Sequence, residues 1–205
     1  MGVYLVTAPT APAVSLIEAK QHLELTDSQT ERDEYIQGLI ATATAQVQDE
    51  ECGGLQLLTG TYIHKMDAFP SCPFITVPRA PLISVVSLTY IDSDGVEQTF
   101  GGSPVDQYVV DYKSPHLPEF GEIHLAYGES WPVARAEHNA VRVRFTCGFS
   151  STAFSVPAPI KSWMKLLIGS MYATRELEVT GAIVSELKFA DNLLNPYRVR
   201  VPRVA

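Results

Sequence analysis

Apolar residues along this chain recur with two different rhythms, and the changes between them divide the sequence into three stretches. The first has the helical period. Ser15 is placed as an N-cap, with Glu18 three residues on to complete a capping box. A short helix is predicted over 16–24, with Leu16, Ala19 and Leu23 on one face, and Thr26-Asp27-Ser28 breaks it. A second helix is predicted over about 29–51, where Ile36, Leu39, Ile40, Ala43 and Val47 fall at i, i+3, i+4, i+7 and i+11. Gly53-Gly54 stops it.

From about residue 57 the period changes to two. Segments 57–66, 74–77, 83–91, 96–100, 107–111, 121–126 and 140–147 are rich in Val, Ile, Thr, Tyr and Phe, with Pro and Gly clusters between them. Asp92-Ser93-Asp94-Gly95 reads as a hairpin turn. Val141, Val143 and Phe145 alternate with Arg142, Arg144 and Thr146, as in a half-buried strand. After Val156-Pro157-Ala158-Pro159 the helical period returns, and Ile160, Trp163, Met164, Leu167, Ile168 and Met171 form an apolar face over 158–177. A weak strand or loop, a short helix near 189–195 and a Pro-punctuated basic tail follow. The predicted fold class is α+β. Residues 1–56 and 156–195 form a helical domain, 57–155 form an inserted, mainly antiparallel β domain, and 196–205 extend as a basic tail.

Length and composition fit this plan. A chain of 205 residues with 46% hydrophobic and 19% charged positions is long enough for one well-buried domain with an insertion, and wholesale disorder is excluded. The formal net charge is −8, and residues 1–60 alone carry nine acids against Lys20 and Arg32. Such a surface is unsuited to gripping nucleic acid as a whole, because phosphate neutralisation needs Lys and Arg. The last ten residues reverse the sign with Arg198, Arg200 and Arg203. Cys52, Cys72 and Cys147 have no C-x-x-C spacing and read as reduced, mostly structural thiols. No signal peptide is read at the N-terminus, and no apolar run approaches the ~18 residues of a membrane span. The expectation is a soluble, intracellular chain with no membrane partner.

Motifs for chemistry are sparse. No Walker loop, G-x-G-x-x-G or G-x-S-x-G is present, and Gly128-Glu129-Ser130-Trp131-Pro132 fails the last at its final glycine. Asp92-x-Asp94-Gly95 resembles the opening of a calcium loop but lacks its later ligands, and a turn accounts for its residues. Glu122 and His124 would share a strand face and could seed a metal site. A dispersed hydrolase site would have to be assembled from groups such as Glu122, His124 and His138. Trp163 is expected in the core, and Trp131 as a loop anchor on the β region.

The ordered set of pieces is more informative than any one of them. Val14-Ser15-Leu16-Ile17-Glu18-Ala19-Lys20 opens the first helix and an acidic helix follows. Pro78-Arg79-Ala80-Pro81-Leu82 then leads into Val85-Val86-Ser87-Leu88-Thr89-Tyr90 and the Asp-Gly turn. Gly121-Glu122-Ile123 precedes Ser130-Trp131-Pro132 and the strand from Ala140 to Phe149, and the last helix closes near Tyr172-Ala173-Thr174-Arg175-Glu176. Over roughly 5–197 this series resembles the head-to-tail connector (adaptor) proteins of long-tailed double-stranded DNA bacteriophages, prophages and gene transfer agents. Cys147, where a small residue is more usual, and a long loop at 112–120 depart from the pattern.

The resemblance implies a structural virion protein at the head–tail junction, assembled in the bacterial host cytoplasm, with no catalytic residues and no cofactor. It implies a homo-oligomeric ring, typically twelve-fold, beneath the portal protein. The ring would extend the DNA channel, pass double-stranded DNA without sequence-specific binding, and present a platform to a tail-side stopper or terminator protein. Two site expectations follow. Glu31, Asp33, Glu34, Asp49, Glu50 and Glu51 either line the channel, where an acidic wall limits friction on DNA, or face solvent outside. Leu193, Leu194 and Tyr197 with Arg198, Arg200 and Arg203 either dock on the portal or form a free terminus. Another head-completion or tail-terminator protein would share the same acidic α+β character.

Overall fold

The computed structural model describes residues 2–101, 107–113, 119–174 and 192–199. The fold is α+β with antiparallel sheets. Its helices come from the two ends of the sequence: α1 (Leu16–His22), α2 (Asp33–Ala45) and α3 (Ala158–Thr174). Ser15 caps α1 as expected. Its Oγ accepts the Glu18 N–H at 3.1 Å while its own N–H donates to Glu18 Oε2 at 2.9 Å. The other carboxylate oxygen of Glu18 accepts from Lys161 Nζ at 2.6 Å, which ties the start of α1 to α3.

α2 begins later than periodicity predicts, because Gln29, Thr30, Glu31 and Arg32 offer no apolar side chain to bury. Its predicted stripe of Ile36, Leu39, Ile40, Ala43 and Val47 is buried. The last part of that stripe lies in a π-helical turn, Gln46–Glu51. Gly53 and Gly54 then take φ +64° and +104°, a left-handed region that disfavours other residues, and this ends the helix. One apolar cluster joins α1, α2 and α3 with Leu55, Leu57, Leu58, Val156 and Leu194, and Trp163 sits within it as expected.

The β strands follow the predicted segments closely. They are β2 (Gly60–Met66), β3 (Phe74–Thr76), β4 (Leu82–Ile91), β5 (Glu97–Thr99), β6 (Tyr108–Asp111), β7 (Glu122–Leu125) and β8 (Val141–Cys147). A further strand, β1 (Gly2–Thr7), lies outside the predicted segments. The N-terminal arm assigned to the helical domain pairs instead with β2, Tyr4 opposite Ile63. A five-stranded sheet runs β1-β2-β8-β4-β5 and a three-stranded sheet runs β3-β7-β6. Central β8 realises the alternation read from its sequence, with Val141, Val143, Phe145 and Cys147 fully buried.

A second apolar cluster holds these inner residues together with Ile75 and Ile123 of the smaller sheet. Trp131 anchors its loop on this cluster. The indole stacks on Phe69 with ring centres 5.0 Å apart, and Nε1 donates to the Cys72 carbonyl at 2.9 Å. Where β8 ends, Gly148 has φ +127°, and a Cβ there would lie 2.6 Å from the Leu58 carbonyl carbon. Only glycine fits so close to the backbone that links the two clusters.

Candidate functional site

The candidate chemical groups separate in space. Glu122 and His124 meet on β7, with Oε2 and Nε2 3.0 Å apart. Asp111 joins them from β6, and the three potential ligand atoms lie within 4.8 Å of one another. The space between them already holds a cation. Lys113 Nζ lies 2.6 Å from Asp111 Oδ2 and 3.1 Å from Glu122 Oε2. The Lys113–Asp111 hydrogen bond holds this carboxyl below its ordinary pKa and this ammonium above its own. His138 stands apart from the group and pairs with Asp67, Nδ1 to Oδ1 at 3.1 Å. The three residues considered for a dispersed hydrolase site are therefore not one constellation.

Asp92 serves its turn. It accepts the Asp94 and Val96 N–H groups at 3.0 and 2.9 Å and the Gln98 amide at 2.8 Å. The Gln98 bond first, and then the backbone donors, hold its carboxyl below the usual range.

The acids of the helical region also divide. Asp33 lies 2.5 Å from Lys20 Nζ, whose residue is only 2% exposed, and so compensates a buried ammonium. Asp49 pairs with Arg79 at 2.8 Å, and that guanidinium stands 5.4 Å over the Tyr62 ring. Glu51 pairs with Arg198 at 3.3 Å. Glu50 belongs to the π-helical turn. Glu31 and Glu34 are exposed and unpaired among the described residues. Spacing in the sequence shows six similar carboxylates; the fold gives three of them internal partners.

The tail needs the same revision. Leu194 is fully buried in the helical cluster, with Leu193, Tyr197 and Val199 packed against it. The Val199 N–H donates to the Cys52 carbonyl at 2.9 Å. Leu194 is thus a core residue of its own chain rather than an exposed anchor, buried in the cluster that joins α1, α2 and α3. Arg198 is held by Glu51. Arg200 and Arg203 lie outside the described residues, as does most of the 112–120 loop. The Cys52 thiol beside this segment is pushed up to about 11 by burial, and burial pushes Cys147 up to about 12, so both behave as inert core groups.

Two surfaces remain that sequence reasoning passed over. One is an apolar groove of about 640 Å³ between α2 and the N-terminal arm, lined among others by Leu5, Pro12, Leu16, Ala41 and Tyr62. The other is the outer face of the five-stranded sheet. Lys65, Arg142 and Arg144 stand there with Ile63 and Tyr4, in the register Tyr4↔Ile63↔Arg144. The alternation of β8 could have flagged this face, since the same pattern that buries Val143 exposes Arg144.

No protein-family model and no curated protein matches the sequence. Solved structures do match over the whole chain. A chain in the neck of an empty gene transfer agent particle, computed with C6 symmetry, superposes with a TM-score of 0.79 at 19% identity, covering 100% of this chain and 99% of that one. A chain in the virion of a native gene transfer agent particle gives 0.70 at 22% identity, with 100% and 98% covered. A chain in the neck of the native particle, computed with C12 symmetry, gives 0.70 at 20%, with 100% and 99% covered. This chain therefore has the fold of chains in gene transfer agent particles, and the connector resemblance carried by its ordered motifs agrees with that fold.

Proposed function

We propose that this chain is a structural subunit of a virion neck, a helical module with an inserted β domain that forms a ring beneath the portal and joins the DNA-filled head to the tail. The observation that carries the reading is the end-to-end likeness to a neck chain, TM-score 0.79 with 99% of that chain covered. A full-length match argues for the same kind of part rather than for a shared submotif. Rotational symmetry in the C6 and C12 neck structures favours a closed ring, with twelve copies as the proposed number.

The chemistry fits a mechanical part. Glu122, a candidate for metal or hydrolase chemistry, is paired with Lys113, and Lys20 and Glu51 make internal ion pairs of their own. The chain's net charge of −8 suits a conduit that DNA slides past rather than a surface that holds it. Partners under this reading are the portal above, a stopper or terminator below, and neighbouring copies around the ring. Portal attachment is assigned to the end of the tail, Arg200 and Arg203, with Arg198 at its base.

Co-sedimentation with the portal ring of the same genome tests the reading, using full-length protein and a 1–199 truncation that keeps the packed residues. Saturable binding at about one copy per portal subunit is expected, with loss on truncation. Binding that survives truncation keeps the neck role and moves the docking surface to the folded body. No binding by either form overturns the portal-proximal role.

A further inference from the structure

Strand β4 carries two irregularities against β8, between Leu82 and Ser84 and between Val85 and Ser87. Each leaves one extra residue, Ile83 and Val86, and these are 43% and 55% exposed. On the outer face Tyr4 of β1 is 53% exposed, and Lys65 Nζ stands 5.0 Å over its ring. The ladder places Arg144 between Ile63 and Ser87, exposed and unpaired among the described residues. Arg142 beside it reaches Glu97 at 3.3 Å. Tyr4, Ile63 and an excess of positive charge thus share one surface of a strongly acidic protein.

The complementary charge lies on the helical region. Between α1 and the first turn of α2, Glu24, Asp27, Glu31 and Glu34 are all exposed, and their carboxylates are unpaired among the described residues. The other charges there are engaged, Asp33 with Lys20 and Arg32 with the Tyr172 hydroxyl. One chain therefore displays two different patches of opposite sign. A rotational ring needs such a pair, because each subunit meets its neighbours through two dissimilar surfaces.

We infer that the outer sheet face, centred on Arg144 and Lys65, receives the acidic 24–34 segment of a second copy of this chain. This contact rests on the ring reading proposed above and gives it a register. Opposite potentials steer the subunits and set their order, and like charges brought together there oppose association.

Charge reversal tests the contact. K65E/R144E makes both patches acidic, and E31K/E34K reverses the other patch. Each variant alone should assemble about tenfold less well at physiological salt than the wild type, both on the portal ring and in sedimentation velocity at high protein concentration. An equimolar mixture of the two variants should recover assembly, because an alternating ring restores opposite charges at every contact. Unchanged melting temperatures for the separate variants show that folding is not the cause.

Wild-type assembly by both variants overturns the contact while leaving the neck reading intact. So does failure of the mixture to recover. Altered DNA retention with normal rings for E31K/E34K would assign those acids to the lumen and likewise overturn it. If wild-type protein ignores the portal yet self-associates with these charge effects, the neck reading falls and the contact stands. If it neither binds portal nor self-associates, both fall.

Discussion

The helical and β parts of this chain both pair charges internally, but they leave charge of opposite sign unpaired at the surface. In the helical part, ion pairs join segments distant in sequence, Glu18 to Lys161 and Glu51 to Arg198, while Lys20 is held by Asp33. In the β part, the core is apolar and aromatic, and the sheet turns Arg144 and Lys65 outward. Charged residues that look like a functional cluster in sequence are thus partly structural, and residues that look like routine strand alternation leave a charged surface open. A linear run of acids says little about use, because a fold can place a cation beside each one.

The comparison can be broken at its strongest point first. Phe145→Ala removes a fully buried ring from the β core and should cost about 3–5 kcal/mol in denaturant unfolding. Leu194→Ala should cost about 2–5 kcal/mol if the tail completes the helical core; a change near zero would return Leu194 to a free terminus. Asp33→Asn leaves the buried Lys20 ammonium without its partner. Because Asp33 is partly solvated, about 2–3 kcal/mol is expected, below the cost of breaking a fully buried pair. Ser15→Ala deletes one half of the capping box and should cost about 1 kcal/mol.

The smallest effect is one of pH. Burial on the inner face of β2 lowers the pKa of His64 from its ordinary 6.5, so the folded state holds the neutral ring. Between the folded and unfolded values the unfolded chain binds more protons. Stability from this group is therefore present above pH 6.5 and lost as pH falls below it. Thermal melts of wild type and His64→Phe across that range should show a shallower acid loss in the variant.

Much of the fold was legible because local signals and tertiary packing agree. Six of seven strands fall within a residue or two of the segments read from alternation, β2 starts three residues later than its segment, and the Ser15 capping box forms as written. Strand β1 was missed because its partner is β2, some sixty residues on, and nothing local demands the pairing. The sequence pattern puts the start of α2 too early, since its acidic residues are compatible with a helix but bury nothing before Asp33.

The site was less legible. Asp33 reads as one of a run of similar acids, yet the fold sets it against the buried Lys20 ammonium. Leu194 and Arg198 read as a docking tail, but the cluster that buries Leu194 and the Glu51 carboxylate that holds Arg198 come together only in the folded chain. The proposed contact between copies has the same character: its two halves are far apart in sequence, and only the sheet register sets Tyr4, Ile63 and Arg144 side by side.

Native mass spectrometry of the portal ring saturated with this protein tests the central claim most directly. One copy per portal subunit, added as a complete ring, is the predicted result. A portal mass unchanged at saturating protein would contradict it.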